Sequence, residues 1–278
     1  MINTQYVKAP NLTVKVGNET FAYRELGKRE GIPVVFFVHL AGTLDNWDPS
    51  VVDGIAKNRW VITFDNLGVG LSSGKVPGSI RQMASDALTF VHALGIEKMD
   101  VLSFSMGGMI AQELIKMEPH MVNKLILAGT GPRGGVGIEN VTKLSDRDTI
   151  RAILTLKDVK TYLFFTRTKN GKQKAKEFLL RLKERKENRD KSISLKSYRN
   201  QLKAIHKWGV AEPADLSKIT APTLIVNGDD DRMVPTINSY ELNKRIPGSQ
   251  IIIYEDAGHG GIFQNHDKFV TKALEFLS

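Results

Sequence analysis

Three side chains that together can carry out nucleophilic catalysis lie far apart in the sequence: Ser105, Asp231 and His259. Each follows a short apolar segment that predicts a buried β-strand. Loops at the carboxyl ends of such strands are where open α/β sheets bind ligands. A hydroxyl, an imidazole and a carboxylate at one point would provide a nucleophile, its general base and the group that orients the base.

Ser105 lies in residues 101–108, where an apolar run changes into a helical pattern, as in the strand-turn-helix segment of a nucleophile elbow. Small residues two positions away, Ser103 and Gly107, allow the strand and the helix to approach closely. The predicted helix begins near Met106 and directs unpaired N–H groups towards the serine, which suits a developing oxyanion. Ser103 replaces the first glycine of the usual G-x-S-x-G pattern. By itself, this segment fits a strand leading into a glycine-containing helix equally well.

The acid and the base are predicted on two later loops. Residues 222–227 predict a strand that leads to three consecutive aspartates, 229–231, and spacing alone leaves all three as candidates for orienting a histidine. An acidic turn can also be merely solvated, whereas a divalent cation would need further ligands that this loop does not contain. His259 follows the predicted strand Gln250–Tyr254 between glycines, where it is free to transfer protons.

A second hydrogen-bond donor for an oxyanion is expected on an earlier loop. Residues 34–38 are apolar without alternation and predict a central parallel strand. The strand ends in His39-Leu40-Ala41-Gly42, and we identify the backbone N–H of Ala41 as the candidate donor. His39 is interpreted as a residue that packs within this loop or hydrogen-bonds to it.

The whole chain of 278 residues is long enough for one α/β domain with an insertion. Residues 12–24 predict an N-terminal β-hairpin, and the strands and helices that follow predict a mostly parallel, doubly wound sheet. About 80 charged, helix-favouring residues then interrupt this alternation, which is too long for an ordinary loop. We therefore predict a core domain formed by residues 1–132 and 214–278, with a helical cap inserted at residues 133–213.

The basic charge of the chain is concentrated in this predicted cap. Residues 133–213 contain 21 Lys and Arg and 9 Asp and Glu, which gives this segment a net charge of +12. Because the whole chain carries +9, the remaining residues have a net charge of −3. Residues 181–191 mix both signs at helical spacing, as a solvated helix face does. The basic residues are not interleaved with aromatic ones and form no nucleic-acid-binding motif. We expect no nucleic-acid partner.

Composition excludes further classes of function. The chain has no cysteine, which excludes disulfides, thiolate catalysis and cysteine-ligated metals. No basic segment leads into an apolar run at the N-terminus, and no apolar run approaches the length of about 18 residues that a membrane span needs. We accordingly expect a cytoplasmic protein with no membrane partner, no cofactor and no metal ion.

The order Ser, Asp, His, each after a predicted strand, resembles the α/β-hydrolase fold family, in particular its serine esterases and cofactor-free haloperoxidase-like enzymes. Residues 64–72 are similar to the family's D-x-R-G-x-G-x-S loop, with Leu67 in place of arginine. Residues 228–235 resemble its G-x-x-D-R-x-V-P acid loop, which assigns the acid to Asp231, and residues 257–259 match its histidine loop.

The resemblance implies a catalytic triad of Ser105, His259 and Asp231, with the backbone N–H groups of Ala41 and Met106 holding the oxyanion. It implies hydrolysis of a carboxylic ester or lactone with a largely apolar acyl group. A perhydrolase or haloperoxidase, a C–C bond hydrolase acting on a dienoate, and a slow ligand-binding signalling protein are the alternatives. Ser105 argues against the haloalkane dehalogenases and epoxide hydrolases, which have aspartate at the elbow. Substrate identity and oligomeric state stay open.

Overall fold

A single eight-stranded sheet runs through the computed structural model, which describes residues 5–278. The strands are β1 (Leu12–Val16), β2 (Glu19–Leu26), β3 (Val34–Phe37), β4 (Val61–Phe64), β5 (Met99–Phe104), β6 (Val122–Ala128), β7 (Thr223–Gly228) and β8 (Gln250–Tyr254). Their spatial order is β1-β2-β4-β3-β5-β6-β7-β8. The β1–β2 hairpin is antiparallel and β2 pairs antiparallel with β4, whereas all later pairs are parallel. The predicted fold class, including the hairpin, is confirmed.

Ten α-helices accompany the sheet within the described residues. They are α1 (Pro49–Ala56), α2 (Ile80–Ala93), α3 (Met106–Met117), α4 (Val141–Thr155), α5 (Lys160–Leu163), α6 (Lys169–Arg181), α7 (Leu195–Gly209), α8 (Ile237–Arg245), α9 (Gly261–Gln264) and α10 (His266–Leu277). Short 3₁₀ turns occur at Tyr6–Lys8, Leu44–Asn46, Pro119–Met121 and Ile138–Asn140.

The described residues form two hydrophobic cores, because successive side chains of a strand point to opposite faces of the sheet. In β3, Val34 and Phe36 belong to the core that includes residues of α1 and α10. Val35 and Phe37 belong to the core that includes residues of α2 and α3. All four are fully buried, as the absence of alternation in this segment predicts for a strand covered on both faces.

Helices α4 to α7 lie between β6 and β7 in the sequence, within the predicted insertion at residues 133–213. Charged side chains attach this segment to the rest of the molecule. The guanidinium of Arg181, at the end of α6, donates to both carboxylate oxygens of Asp48 at 2.8 and 2.6 Å. Arg185 donates to the backbone carbonyl oxygens of Val7 and Ala9 at 3.2 and 2.8 Å. The division into two domains remains a prediction.

The loop after β4 contributes a second connection to the insertion. Asp65 accepts hydrogen bonds from the N–H groups of Leu44 (2.9 Å) and Leu71 (3.1 Å), and Asp190, between α6 and α7, accepts from the same Leu44 N–H at 3.0 Å. Burial and the neighbouring Asp190 carboxylate raise the pKa of Asp65 well above its usual range, which favours the protonated form of Asp65. Leu67 packs against the hydrophobic core instead of forming an ion pair.

The Arg181–Asp48 pair provides a test of how the insertion is attached. Asp48 is fully buried and its Oδ1 also caps α1 by accepting from the Ser50 N–H at 3.0 Å. Arg181→Met leaves this carboxylate buried without its cation, and we expect the free energy of unfolding to fall by about 3 kcal/mol. Urea denaturation measures the change.

Arg199→Met is the matched control, since Arg199 pairs with Asp146 at 2.8 Å and both side chains are exposed to solvent. Its loss should lower the free energy of unfolding far less than Arg181→Met does, because solvent screens an exposed ion pair. Equal losses for the two variants would contradict a stabilising attachment at Asp48.

Candidate active site

Ser105, His259 and Asp231 meet at the carboxyl ends of the parallel strands. The Ser105 hydroxyl oxygen lies 2.8 Å from His259 Nε2, and His259 Nδ1 lies 2.8 Å from Asp231 Oδ2. With Nδ1 protonated and donating to the carboxylate, Nε2 is free to accept the serine proton. Ser105, His259 and Asp231 are 5%, 2% and 5% exposed respectively, so the site is largely shielded from bulk water.

The backbone at Ser105 is strained. Its φ of 57° and ψ of −120° form a conformation that L-residues rarely adopt, and Ser105 caps the N-terminus of α3 directly after β5. The Ser105 N–H donates to the carbonyl of Ala128 at 2.9 Å, which ties the turn to β6. A Cβ atom at Gly107 would lie 2.0 Å from the Phe37 carbonyl oxygen, so only glycine permits this approach of α3 to β3.

Ser103 occupies the position at which glycine is usual and is fully buried in β5. Its hydroxyl donates to the carbonyl oxygen of Ile126 at 2.7 Å, across the parallel pair β5–β6. The added polar group is therefore satisfied within the sheet. The elbow forms with serine at this position.

The structure distinguishes among the three consecutive aspartates. Asp231 Oδ1 accepts from the N–H groups of Met233 and Val234 at 2.8 and 2.9 Å, which aims Oδ2 at His259. Asp229 instead accepts from the backbone N–H groups of residues 256 and 257 at 3.1 Å and so supports the loop that carries the histidine. Asp230 is exposed to solvent.

The histidine loop also contacts the insertion. Gly260 N–H donates to the carbonyl oxygen of Phe164, at the end of α5, at 2.7 Å. A Cβ atom at Gly258 would lie 2.7 Å from that same oxygen, so glycine permits the close approach. The rings of Phe104 and Phe164 have centroids 4.9 and 5.7 Å from that of His259. Two aromatic rings thus hold the imidazole in place.

The loop after β3 forms a turn closed by the Gly42 N–H and the His39 carbonyl oxygen at 2.9 Å. Ala41 has a φ of 61°, which sets the direction of its N–H. That N–H, the predicted oxyanion donor, donates to the side-chain oxygen of Gln201 in α7 at 2.7 Å. Met106, the other predicted donor, is the first residue of α3, where helical N–H groups have no partner within the helix.

Gln201 is a site residue that the sequence analysis missed. It is fully buried, and it shares one face of α7 with the buried residues Ala204, Ile205 and Trp208. Spacings of three, four and seven residues place all four on the same side of a helix, where apolar residues are expected. A glutamine at such a position is the signal that could have identified it.

His39 is buried between the rings of Phe104 and Phe164, with centroid distances of 5.5 and 5.1 Å. Its Nδ1–H donates to the carbonyl oxygen of Leu40 at 2.7 Å. Burial lowers the pKa of His39 to about 3, so the ring is neutral at physiological pH. These contacts agree with a packing role in the loop.

Residues 5–278 include no group of three or more His, Asp or Glu side chains arranged to hold a metal ion. Within the same range, no helix is long and apolar enough to cross a membrane.

The lowered pKa of His39 makes stability depend on pH. The unfolded chain binds a proton at this residue below pH of about 6.5 and the folded protein does not, so the free energy of unfolding falls as the pH drops from 6.5 towards 3. We expect His39 to account for a loss of about 2 kcal/mol between pH 7 and pH 5. Urea denaturation of the His39→Asn variant should show a shallower pH dependence than the wild type, while the exposed His120→Asn control should not. Identical slopes in all three proteins would contradict a neutral, buried His39.

Comparison with known proteins agrees with this architecture. A family model described as the alpha/beta hydrolase fold matches residues 32–266. The structure of an α/β-hydrolase fold protein from Chitinophaga pinensis has a TM-score of 0.95 and 38% identity, covering 99% of each chain. A 2-hydroxy-6-oxononadienedioate/2-hydroxy-6-oxononatrienedioate hydrolase of Klebsiella pneumoniae is 30% identical over 243 residues, 84% of this chain and 80% of its own.

A Rhizobium rhizogenes protein, whose name gives carbamate hydrolysis as its inferred activity, is 24% identical over 264 residues, 92% of this chain and 97% of its own. The family model covers well over half of the chain, and the relatives it resembles bear the names of hydrolases. The chain is therefore a hydrolytic enzyme of the α/β-hydrolase fold family.

Proposed function

We propose that this protein cleaves a carboxylic ester or lactone through an acyl-enzyme formed on Ser105. The observation that carries the proposal is the continuous hydrogen-bond chain from the Ser105 hydroxyl through His259 to the Asp231 carboxylate, with both donor–acceptor distances at 2.8 Å. This chain lies at the N-terminus of α3, where backbone N–H groups favour developing negative charge.

In the proposed reaction, His259 Nε2 takes the proton of the Ser105 hydroxyl while the hydroxyl oxygen attacks the substrate carbonyl carbon. The negative charge that develops on the carbonyl oxygen is held by the Met106 and Ala41 N–H groups, each contributing on the order of 3 kcal/mol to lowering of the barrier. The protonated His259 then gives its proton to the leaving alcohol oxygen. Water attacks the acyl-enzyme with His259 again as the base and releases the acid.

Asp231 acts on His259 and does not contact the substrate. Its Oδ2 accepts a hydrogen bond from the Nδ1–H, which fixes the tautomer in which Nε2 is the base, and it stabilises the imidazolium that forms. The two backbone N–H groups that donate to Oδ1 hold the carboxylate in position. Neighbouring Asp230 is exposed to solvent, which makes it a suitable control.

We further propose that residues 133–213 form a cap over the site and select the acyl group. Phe164 at the end of α5 and Gln201 in α7 both reach residues of the candidate site from this segment. The aromatic surroundings of His259 favour a largely apolar acyl chain. The proposed substrate is therefore a small ester or lactone enclosed beneath the cap.

A second candidate is the hydrolysis of a C–C bond in a dienoate, favoured by the 30% identity to the Klebsiella pneumoniae enzyme. The same serine would attack a ketone carbonyl, and a stabilised carbanion would leave in place of an alcohol. Loss of the visible absorbance of a dienoate ring-fission product, faster than hydrolysis of p-nitrophenyl esters, would identify this activity.

Replacement of Ser105 tests the nucleophile. Ser105→Ala should lower kcat for p-nitrophenyl butanoate by about 10⁴-fold or more and abolish covalent labelling by a fluorophosphonate, because no oxygen remains to attack the carbonyl. Ser103→Ala removes another buried hydroxyl two residues away and should keep the labelling. A Ser105→Ala enzyme with full turnover would refute the proposal.

Replacement of Asp231 tests the orientation of the base. Asp231→Asn should lower kcat by about 10³- to 10⁴-fold, because the amide favours the wrong tautomer of His259. Asp230→Asn should change kcat by less than about twofold, since that side chain is exposed. Comparable effects of the two substitutions on steady-state kcat would show that Asp231 does not orient His259.

A further inference from the structure

The oxygen and the nitrogen of the Gln201 carboxamide differ in their hydrogen bonding. Its oxygen accepts the Ala41 N–H at 2.7 Å, whereas its Nε2 is buried with no hydrogen-bond partner among residues 5–278. An N–H can donate only to the oxygen of a carboxamide, so the contact with Ala41 assigns which atom is which. A fully buried donor without a partner is unusual in proteins.

The position of this carboxamide is set by a helix attached to three loops of the sheet domain. Ser197 donates to the Gly68 carbonyl oxygen at 2.8 Å, Lys207 to the Gly78 carbonyl oxygen at 3.2 Å, and Trp208 to the Gly131 carbonyl oxygen at 3.4 Å. These contacts lie on both sides of position 201 along α7. The unpartnered donor is thus held in place by the fold.

The carboxamide lies beside the proposed oxyanion position. Phe37, at the end of β3, pairs with Ser103, so the loop that follows runs alongside the elbow. The ring of His39 in that loop lies 5.5 Å from the ring of Phe104, the residue preceding Ser105. Ala41 follows two residues later, and its N–H, the proposed oxyanion donor, donates to the Gln201 oxygen.

We propose that Gln201 is a substrate-binding residue that determines specificity. The scissile carbonyl oxygen displaces the Gln201 oxygen from the Ala41 N–H, and Gln201 Nε2 donates to a second acceptor oxygen close to that carbonyl. The favoured substrates are esters or lactones whose acyl part carries an ether, hydroxyl or carbonyl oxygen on the second or third carbon. This inference rests on the proposed acyl-enzyme function and adds the chemical class of the acyl group.

Two esters of the same shape test the inference. In p-nitrophenyl methoxyacetate an ether oxygen replaces the methylene at carbon 3 of p-nitrophenyl butanoate. For Gln201→Leu, the ratio of kcat/KM for methoxyacetate to that for butanoate should fall about tenfold relative to the wild type, through loss of one hydrogen bond.

Gln201→Glu and Asn200→Leu complete the comparison. Gln201→Glu keeps the shape but removes the donor, so it should lose the methoxyacetate preference and slow both esters, because a carboxylate accepts the Ala41 N–H more strongly. Asn200→Leu removes a carboxamide from the same helix, one whose Nδ2 donates to the Val76 carbonyl oxygen at 3.3 Å, and should leave the ratio unchanged.

The possible failures are distinguishable. If the wild type hydrolyses both esters in a Ser105-dependent manner and Gln201→Leu leaves the ratio unchanged, or lowers both values equally, the specificity role of Gln201 is refuted and the proposed function stands. If the wild type hydrolyses neither ester and takes no label from a fluorophosphonate, the proposed function fails and the role of Gln201 fails with it.

Discussion

The strained turn at Ser105 is the constraint on which the rest of the site depends. A φ of 57° at a non-glycine residue costs on the order of 1–3 kcal/mol, and neighbouring contacts must offset that cost. The hydrogen bond to Ala128 and the packing of Gly107 against the Phe37 carbonyl do so by joining the turn to β6 and β3. The conformation that exposes the hydroxyl is thus maintained by the sheet itself.

The site is completed by residues from outside the sheet. Phe164 supports the histidine loop through its carbonyl oxygen and its ring, and Gln201 holds the Ala41 N–H. The segment that supplies both is joined to the remainder of the chain by the partly buried Arg181–Asp48 pair and by the hydrogen bonds of Asp65 and Asp190 to the Leu44 N–H. The geometry of the site therefore depends on how the insertion is attached, because movement of α5 or α7 would displace groups around Ser105.

Much of the fold follows from local patterns in the sequence. Unbroken apolar runs such as residues 34–37 predict strands buried on both faces, and the structure places that run at the centre of the sheet. The turn residues around Gly17 predict the hairpin that β1 and β2 form. Resemblance to the family's acid loop distinguishes Asp231 from its two neighbours. Spacing could not do this, because the three aspartates differ in their burial and in the groups that each one meets in the folded chain.

The sequence by itself determined the class of fold, the order of the elements and the three side chains that converge, since these depend on periodicity and on motifs within a few residues. Tertiary structure alone decided that the Ser103 hydroxyl donates to a carbonyl oxygen of β6, that burial keeps His39 neutral, and that the Gln201 side chain accepts the Ala41 N–H. Each of these depends on partners far away in the chain; Ala41 and Gln201 are 160 positions apart. Burial and hydrogen bonding at such sites arise only when separate elements pack together.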